Sequence, residues 1–268
     1  MDNRPIGVFD SGLGGLTVVK EIKNILPNER IVYLGDTARV PYGTRSKETI
    51  IKFAIEDVNY LLKKNVKCIV IACNSVSSVA TKTLKEKFNI PIFDVISPTC
   101  EYIAKSKNIK RVGIIGTPAT IKSNAYEISI NKLNKQMKVI QNPAALLVPL
   151  VEAGETKSIF TYQIVEKYLK PLIDTNVEMV VLGCTHYPVL LPIIKKILGE
   201  NIEIIDPAKY VSSSLKSYLE SENLLADVKI QHYDFFAVTD LTDGFLKQLN
   251  IFFGKNVKAK LVKVSLTK

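Results

Sequence analysis

Cys73 is a candidate catalytic residue because of its place in the sequence. It follows the apolar run 68–72 and precedes a helical pattern that begins near Val76. The dipole and the free amides of a helix N-terminus favour the thiolate form of a cysteine. The intervening Asn74 and Ser75 can cap those amides or bind a carboxylate. The structural alternative is a small buried residue in front of a capped helix.

Cys184 repeats this arrangement and adds a histidine. It follows the apolar run 179–183, and Thr185 and His186 come directly after it. Thr185 offers a hydroxyl group to an anion, and His186 could donate a proton or orient the cysteine. A zinc site would need a second close Cys/His pair, which the sequence does not supply. A Cys–His hydrolase pair stays possible, but it would not explain the matching Cys73.

Two glycine-containing loops could bind an anion on their backbone amides. The first, 10–16 (DSGLGGL), follows a strand pattern and opens a helix. It matches neither the dinucleotide-binding nor the phosphate-loop pattern, so a nucleotide role has little support. Asp10 could act on a nearby thiol or on a substrate ammonium, or it could be a helix cap. In the second loop the Tyr42 hydroxyl and the amides beside it could hold a carboxylate, although Pro41 and Gly43 by themselves indicate a turn.

The elements that must position these residues alternate along the chain. Runs rich in Val and Ile occupy 6–9, 31–34, 68–72, 92–94, 112–116, 179–183 and 202–205. Amphipathic helical patterns include 47–63, 76–87, 159–173 and 190–198. Nearly continuous apolar strands are typical of parallel sheets that are covered on both faces. The alternation therefore predicts an α/β fold with doubly wound parallel sheets.

An internal repeat relates the two halves of the chain. Segment 61–73 (LLKKNVKCIVIAC) aligns with 172–184 (LIDTNVEMVVLGC), and 7–11 and 92–94 resemble 113–117 and 204–206 in the same order. The repeat predicts two similar, pseudo-symmetric α/β units. Ligands of open α/β sheets bind at the carboxyl ends of the strands. Two units that face each other would therefore place Cys73 and Cys184 on opposite sides of one cleft.

Composition indicates an ordinary globular protein. The 268 residues are 47% hydrophobic and 23% charged, which supplies a substantial core and argues against disorder. This length allows one large domain or two of ordinary size. The sequence contains no apolar run long enough for a membrane span and no signal-peptide pattern, so we expect a cytoplasmic protein. The four cysteines are then expected to be free.

The net charge of +10 would suit a nucleic acid or a membrane surface as partner. The basic residues are scattered at helix-like positions, which is typical of solvated helix faces. Their densest stretch is 255–268, with five lysines. We therefore do not expect nucleic-acid binding as the main function. A positive field would also favour a dianionic substrate.

Taken together, the motifs resemble those of the aspartate/glutamate racemase family, and of glutamate racemases in particular. The matching segments are 9–16 (FDSGLGGL), 35–39 (GDTAR), 41–43 (PYG), 72–74 (ACN), 116–117 (GT) with Thr120, 149–152 (PLVE) and 182–188 (LGCTHYP). The family usually has threonine after the Cys-Asn pair, whereas this chain has Ser75, which keeps the hydroxyl group. Aspartate racemases typically have glutamate after the second Cys-Thr pair, where this chain has His186. The resemblance thus favours glutamate over aspartate.

The resemblance implies a fold, an activity and a set of site residues. The two expected domains are 1–97 plus 207–268, carrying Cys73, and 98–206, carrying Cys184. The two cysteines are the implied acid and base that interconvert L- and D-glutamate, with no cofactor and no metal. The supporting residues are Asp10 beside Cys73, and Glu152 and His186 beside Cys184. The implied substrate contacts are Asp10, Ser11, Pro41, Tyr42, Gly43, Asn74, Ser75, Thr117, Thr120, Thr185 and His186. A homodimer and the supply of D-glutamate for peptidoglycan are also implied.

The chemistry of racemisation suits two cysteines. A base must stand on one face of Cα and an acid on the other. A free thiol has a pKa of about 8.5, so one cysteine must be charged while its partner stays protonated. Amides and hydroxyls around the α-carboxylate would stabilise the carbanion. The alternatives are an aspartate-specific relative and a binding or regulatory protein with an inactive site, for example one that contacts DNA gyrase. The presence of both cysteines argues against an inactive site.

Overall fold

The computed structural model describes residues 1–227, 233–241, 243–246, 249 and 259–266. Its strands are β1 (Ile6–Asp10), β2 (Ile31–Gly35), β3 (Cys68–Ile71), β4 (Ile92–Asp94), β5 (Arg111–Gly116), β6 (Lys138–Pro143), β7 (Met179–Gly183), β8 (Glu203–Ile205), β9 (Asp234–Val238) and β10 (Ala259–Lys263). Its helices are α1 (Leu16–Ile25), α2 (Lys47–Leu62), α3 (Asn74–Lys87), α4 (Ser97–Lys105), α5 (Pro118–Lys122), α6 (Ala125–Leu133), α7 (Leu147–Glu152), α8 (Ile159–Asp174), α9 (Leu191–Leu198) and α10 (Pro207–Ser221), with a 3₁₀ helix at Tyr187–Leu190.

The strands form two parallel sheets, which confirms the predicted fold class. The first sheet has the order β10-β9-β2-β1-β3-β4, and the second has the order β6-β5-β7-β8. Every pair in both sheets is parallel. The order β2-β1-β3-β4 is repeated by β6-β5-β7-β8, so the sequence repeat is also a repeat of topology. β3 and β7 occupy the same place in the two sheets, and each ends within two residues of one of the two cysteines.

Three strands, β6, β9 and β10, were not predicted from the sequence. β6 contains only two β-branched residues, Val139 and Ile140, and none of its residues is fully buried. β9 and β10 extend the first sheet beyond β2, and β10 is an edge strand. In β10 two lysines bracket the apolar pair, so the pattern lacks the continuous apolar run that marks the central strands. The lysine-rich stretch 255–268 is described only over 259–266.

Alternate faces of the strands pack into separate cores. Val8 and Val70 of the first sheet share a core with Ile114 and Val181 of the second, together with residues of α1, α4, α6 and α10. The neighbouring residues face the other way: Phe9 and Ile71 lie in a core under α2 and α3. The equivalent core of the second sheet lies under α7, α8 and α9. Each central strand is therefore buried on both faces, which explains its nearly unbroken apolar sequence.

A buried ion pair ties the amino ends of the first sheet to the segment after α10. Lys67 Nζ lies 2.6 Å from Glu29 Oε2, and both side chains are almost completely buried. The same ammonium donates to the carbonyl oxygens of Asp2 and Leu224. Glu29 in turn accepts the backbone N–H of Ala226 at 2.8 Å. Lys67 is thus a junction of three segments that are far apart in the sequence.

All four cysteines are buried and free, as expected. Among the described residues, no helix combines the length and the apolarity that crossing a membrane requires.

Candidate active site

Cys73 caps helix α3. The helix begins at Asn74, two residues before the position that the sequence suggested, because Cys73 itself has the extended backbone of an N-cap. The Cys73 thiol lies 3.6 Å from Ser11 Oγ. Burial, and after it the charge of Asp10, raise the pKa of Cys73 to about 12. Cys73 therefore carries its proton at neutral pH.

Cys184 stands in a different environment, beside a charged histidine. His186 Nδ1 lies 3.8 Å from Cys184 Sγ, and His186 Nε2 lies 3.2 Å from Glu152 Oε1. Burial alone would lower the pKa of His186, but the hydrogen bonds with Cys184 and Glu152 outweigh it and raise the pKa to about 10. His186 is thus an imidazolium at neutral pH. A cation at this distance stabilises a thiolate on Cys184.

Asp10 links the two halves of the site. It lies at the end of β1, is fully buried, and accepts the backbone N–H of Gly12 at 3.0 Å. Its other oxygen accepts the Thr185 hydroxyl at 3.3 Å. Burial raises the pKa of Asp10, and the positive charge of His186 opposes that shift. The Asp10 carboxyl group therefore acts through its charge on both Cys73 and His186.

Both cysteines line one cavity, whose volume is about 550 Å³ when its opening to solvent is included. The predicted residues in its wall are Ser11, Pro41, Tyr42, Gly43, Cys73, Asn74, Ser75, Thr117, Cys184, Thr185 and His186. Three other predicted residues, Asp10, Glu152 and Thr120, do not line the cavity but contact residues that do. Thr120 is fully buried and its hydroxyl lies 3.0 Å from Thr117 Oγ1, so it supports Thr117.

The sequence suggested that the Tyr42 hydroxyl could hold a carboxylate, but this hydroxyl is bound elsewhere. It donates to Asp36 Oδ2 and lies 3.3 Å from Asp57 Oδ2, and neither of these residues lines the cavity. The loop can therefore offer its backbone amides, but not this hydroxyl, to a carboxylate. Gly43 is needed at this point because an added Cβ would lie 2.5 Å from Thr117 Cβ.

Polar side chains of both halves meet across the cavity. Ser75 Oγ lies 2.8 Å from Thr117 Oγ1. Asn74 Oδ1 accepts the Tyr126 hydroxyl at 2.7 Å, so the amide NH₂ of Asn74 is the group left for the cavity. These hydroxyls and amides are the donors that a carboxylate requires.

Part of the wall is formed by residues that the sequence did not indicate as site residues. The additional lining residues are Val40, Thr44, Pro118, Ala145, Val148 and Pro149. Ala145, Val148 and Pro149 follow β6, a strand that the sequence did not predict. The repeat contained the missing signal, because β6 holds the place of β2 and its loop corresponds to the loop that carries Tyr42. No group of three or more His, Cys, Asp or Glu in the described ranges is arranged to hold a metal ion.

Comparison with known proteins assigns the family. The sequence signature described as Asp/Glu/Hydantoin racemase matches residues 6–213 of this chain. The chain belongs to that family. The predicted enzyme class, an amino-acid racemase and therefore an isomerase, is confirmed with it.

Relatives within the racemase family align over nearly the whole chain. Glutamate racemase 2 of Caldanaerobacter subterraneus subsp. tengcongensis is 41% identical over 257 residues, which cover 96% of each chain. The crystal structure of the glutamate racemase of Francisella tularensis subsp. tularensis in complex with D-glutamate has a TM-score of 0.92 and 42% identity, with 99% of each chain covered. Glutamate racemase isoform RacE1 of Bacillus anthracis has a TM-score of 0.94 at 35% identity, again with 99% of each chain covered.

Proposed function

We propose that this protein interconverts L- and D-glutamate, with Cys73 and Cys184 as the two acid–base groups. One observation carries the proposal: cysteines at equivalent ends of two repeated units line the same cavity and have opposite electrostatic surroundings. The similarity to glutamate racemases, one of them solved with D-glutamate, supports glutamate as the substrate.

The surroundings of the two thiols suggest the starting state of the reaction. The imidazolium of His186 favours Cys184 as thiolate, whereas Cys73 remains a thiol beside Ser11. In one direction the Cys184 thiolate takes the α-proton and becomes a thiol, and the Cys73 thiol gives its proton to the opposite face of Cα. The reverse direction exchanges these roles. Proton transfer by a positioned group typically contributes about 10²- to 10⁴-fold to a rate.

The wall of the cavity supplies the groups that would hold glutamate. The hydroxyls of Ser11, Ser75, Thr117 and Thr185, with the amide of Asn74, could bind its two carboxylates. Hydrogen bonds to the α-carboxylate would strengthen as charge moves onto it from the carbanion. In this proposal the proton transfers need neither a metal nor an organic cofactor. Thr120 and Glu152 act through Thr117 and His186.

The wider setting of the activity is also a proposal. We propose two domains, 1–97 plus 207–268 and 98–206, which bring the two cysteines to one cleft. We further propose a cytoplasmic homodimer that supplies D-glutamate for peptidoglycan and takes no nucleic acid as its main partner. The sequence resemblance supports these points.

Purified protein should be incubated separately with each enantiomer of glutamate and of aspartate, and the optical activity followed by circular dichroism. The proposal expects the glutamate signal to decay to zero from either enantiomer, since the two have equal free energies. Decay with aspartate alone would overturn the substrate assignment. Signals that stay constant with all four would instead favour a binding or regulatory role.

A further inference from the structure

A buried cluster of polar side chains lies under the loop that carries Tyr42 and Gly43. Asp36 follows β2, Asp57 belongs to α2, and the Tyr42 hydroxyl lies between their carboxyl groups. Each of these three side chains is at most 1% exposed. Because an unpaired buried charge is costly, two carboxyl groups this deeply buried need a specific arrangement of protons and hydrogen bonds.

The number of protons decides which carboxyl is charged. A tyrosine hydroxyl has one proton to donate, and it can also accept a hydrogen bond. Tyr42 donates this proton to Asp36, which also accepts Arg39 Nε at 2.5 Å and the Thr239 hydroxyl at 2.8 Å. Asp36 thus has three donors and is the natural site of the negative charge. Tyr42 Oη also lies 3.3 Å from Asp57 Oδ2. With the Tyr42 proton directed at Asp36, this second contact is a full hydrogen bond only if Asp57 supplies the proton.

The cation beside Asp57, Arg39, is shared with two other carboxylates. The Arg39 guanidinium is already bound by Asp36 and by Glu56. Its remaining nitrogen is 3.6 Å from Asp57 Oδ1, and neither atom has a hydrogen-bond partner. Among the described residues, the charged or titratable groups that act most on Asp57 are Asp36, Arg39, Tyr42 and Glu56. The charge of Asp57 also acts on Tyr33. Burial, and after it the charge of Asp36, hold the pKa of Asp57 well above its usual range.

We propose that Asp57 is a positioning residue: as a neutral carboxyl it donates a hydrogen bond to Tyr42 Oη, and so fixes the backbone of Tyr42 and Gly43 in the cavity wall. The hydrogen bonds from Asp57 to Tyr42 and from Tyr42 to Asp36 hold the loop in place. Asp57 touches neither substrate nor cysteine. It acts on substrate binding through Tyr42, so its kinetic effect rests on the proposed glutamate racemisation.

The kinetic test compares a replacement that keeps the donor with one that removes it. Asp57→Asn keeps an N–H donor toward Tyr42 Oη, and we expect its KM for glutamate to stay within about twofold of wild type. Asp57→Leu removes the donor, and we expect KM to rise about tenfold with a smaller change in kcat, the size of one lost hydrogen bond. In a Tyr42→Phe background, Asp57→Leu should add little to KM, because the relay is already broken. The positioning role would be overturned if Asp57→Asn and Asp57→Leu raised KM equally, or if the effects of Asp57→Leu and Tyr42→Phe on KM were additive.

A second test needs no activity and so stands apart from the proposed function. A carboxyl whose pKa is raised in the folded state makes the protein less stable as pH rises from the unfolded pKa, about 4, toward the folded pKa. The urea midpoint of wild type should therefore fall relative to that of Asp57→Asn between pH 5 and pH 8. A constant difference over that range would show that Asp57 is already ionised and would refute the proposal. If this shift is found but glutamate does not react, only the proposed function fails.

Discussion

At Gly14, the addition of a single methyl group should greatly lower activity while the protein still folds. A Cβ added there would lie 2.4 Å from Thr185 Oγ1 and 2.5 Å from His186 Nδ1. Ordinary contacts of a Cβ are 3.4–4 Å, so one side must move by about 1 Å. The His186 ring is 2% exposed and is held by Cys184 and Glu152, so it cannot move without losing those contacts.

This displacement gives the magnitude of the effect. A misplacement of about 1 Å in a catalytic constellation can cost about 100-fold in rate. We therefore expect Gly14→Ala to lower kcat/KM for glutamate by about 100-fold, equally in both directions because the enantiomers have equal free energies. The cost of overpacking should be about 1–3 kcal/mol, so the protein should still fold.

A matched glycine provides the control. Gly199 has a positive φ of 72° and nothing within 4 Å of an added Cβ. Gly199→Ala should lower the free energy of unfolding by about 1–3 kcal/mol through backbone strain, and leave kcat/KM unchanged. The assays are circular dichroism of glutamate for activity and urea unfolding for stability. A folded Gly14→Ala protein with wild-type kcat/KM would refute the idea that this loop fixes His186 and Thr185.

Three further predictions concern charge. His186→Asn removes the cation beside Cys184. With the usual thiol pKa of about 8.5, kcat/KM near pH 7 should fall about 30-fold and recover as pH rises past that value. A pH profile parallel to wild type would contradict this. Iodoacetamide at pH 7 should label Cys184 before Cys73, because the thiolate is the reactive form, and peptide mass spectrometry would show the order; faster labelling of Cys73 would reverse the assignment. Lys67→Met should lower the free energy of urea unfolding by about 3–5 kcal/mol, because it leaves Glu29 buried without its ion-pair partner. Adding Glu29→Leu should restore most of this loss. No restoration would mean that Lys67 acts through its hydrogen bonds to the carbonyl oxygens of Asp2 and Leu224.

The central strands were predictable because they are buried on both faces. Their continuous Val and Ile runs appear in the sequence, and the repeat that contains Cys73 and Cys184 predicts their equivalent places in two sheets. β6 and β10 were not predictable from local pattern, since their partly exposed residues lack that run. Their identity depends on pairing with β5 and β9, which is a tertiary property.

The site was predictable at its cysteines and less so around them. A cysteine at a strand end before a helix already indicates a reactive thiol. The direction of the Tyr42 hydroxyl, however, depends on Asp57, which belongs to a helix that packs beneath the loop. In the sequence Asp57 is one polar residue of an amphipathic pattern, and nothing there shows that it is fully buried. Chemistry carried by adjacent residues was visible, and chemistry assembled by packing was not.

The most direct test of the two-cysteine account is proton NMR of glutamate in D₂O with the wild-type protein, Cys73→Ala and Cys184→Ala. The account predicts that wild type replaces the α-proton by deuterium as the opposite enantiomer appears. Each alanine variant should interconvert the enantiomers at least about 1,000-fold more slowly, since one face of Cα then lacks its acid or base. Interconversion at the wild-type rate by either folded variant would contradict the account.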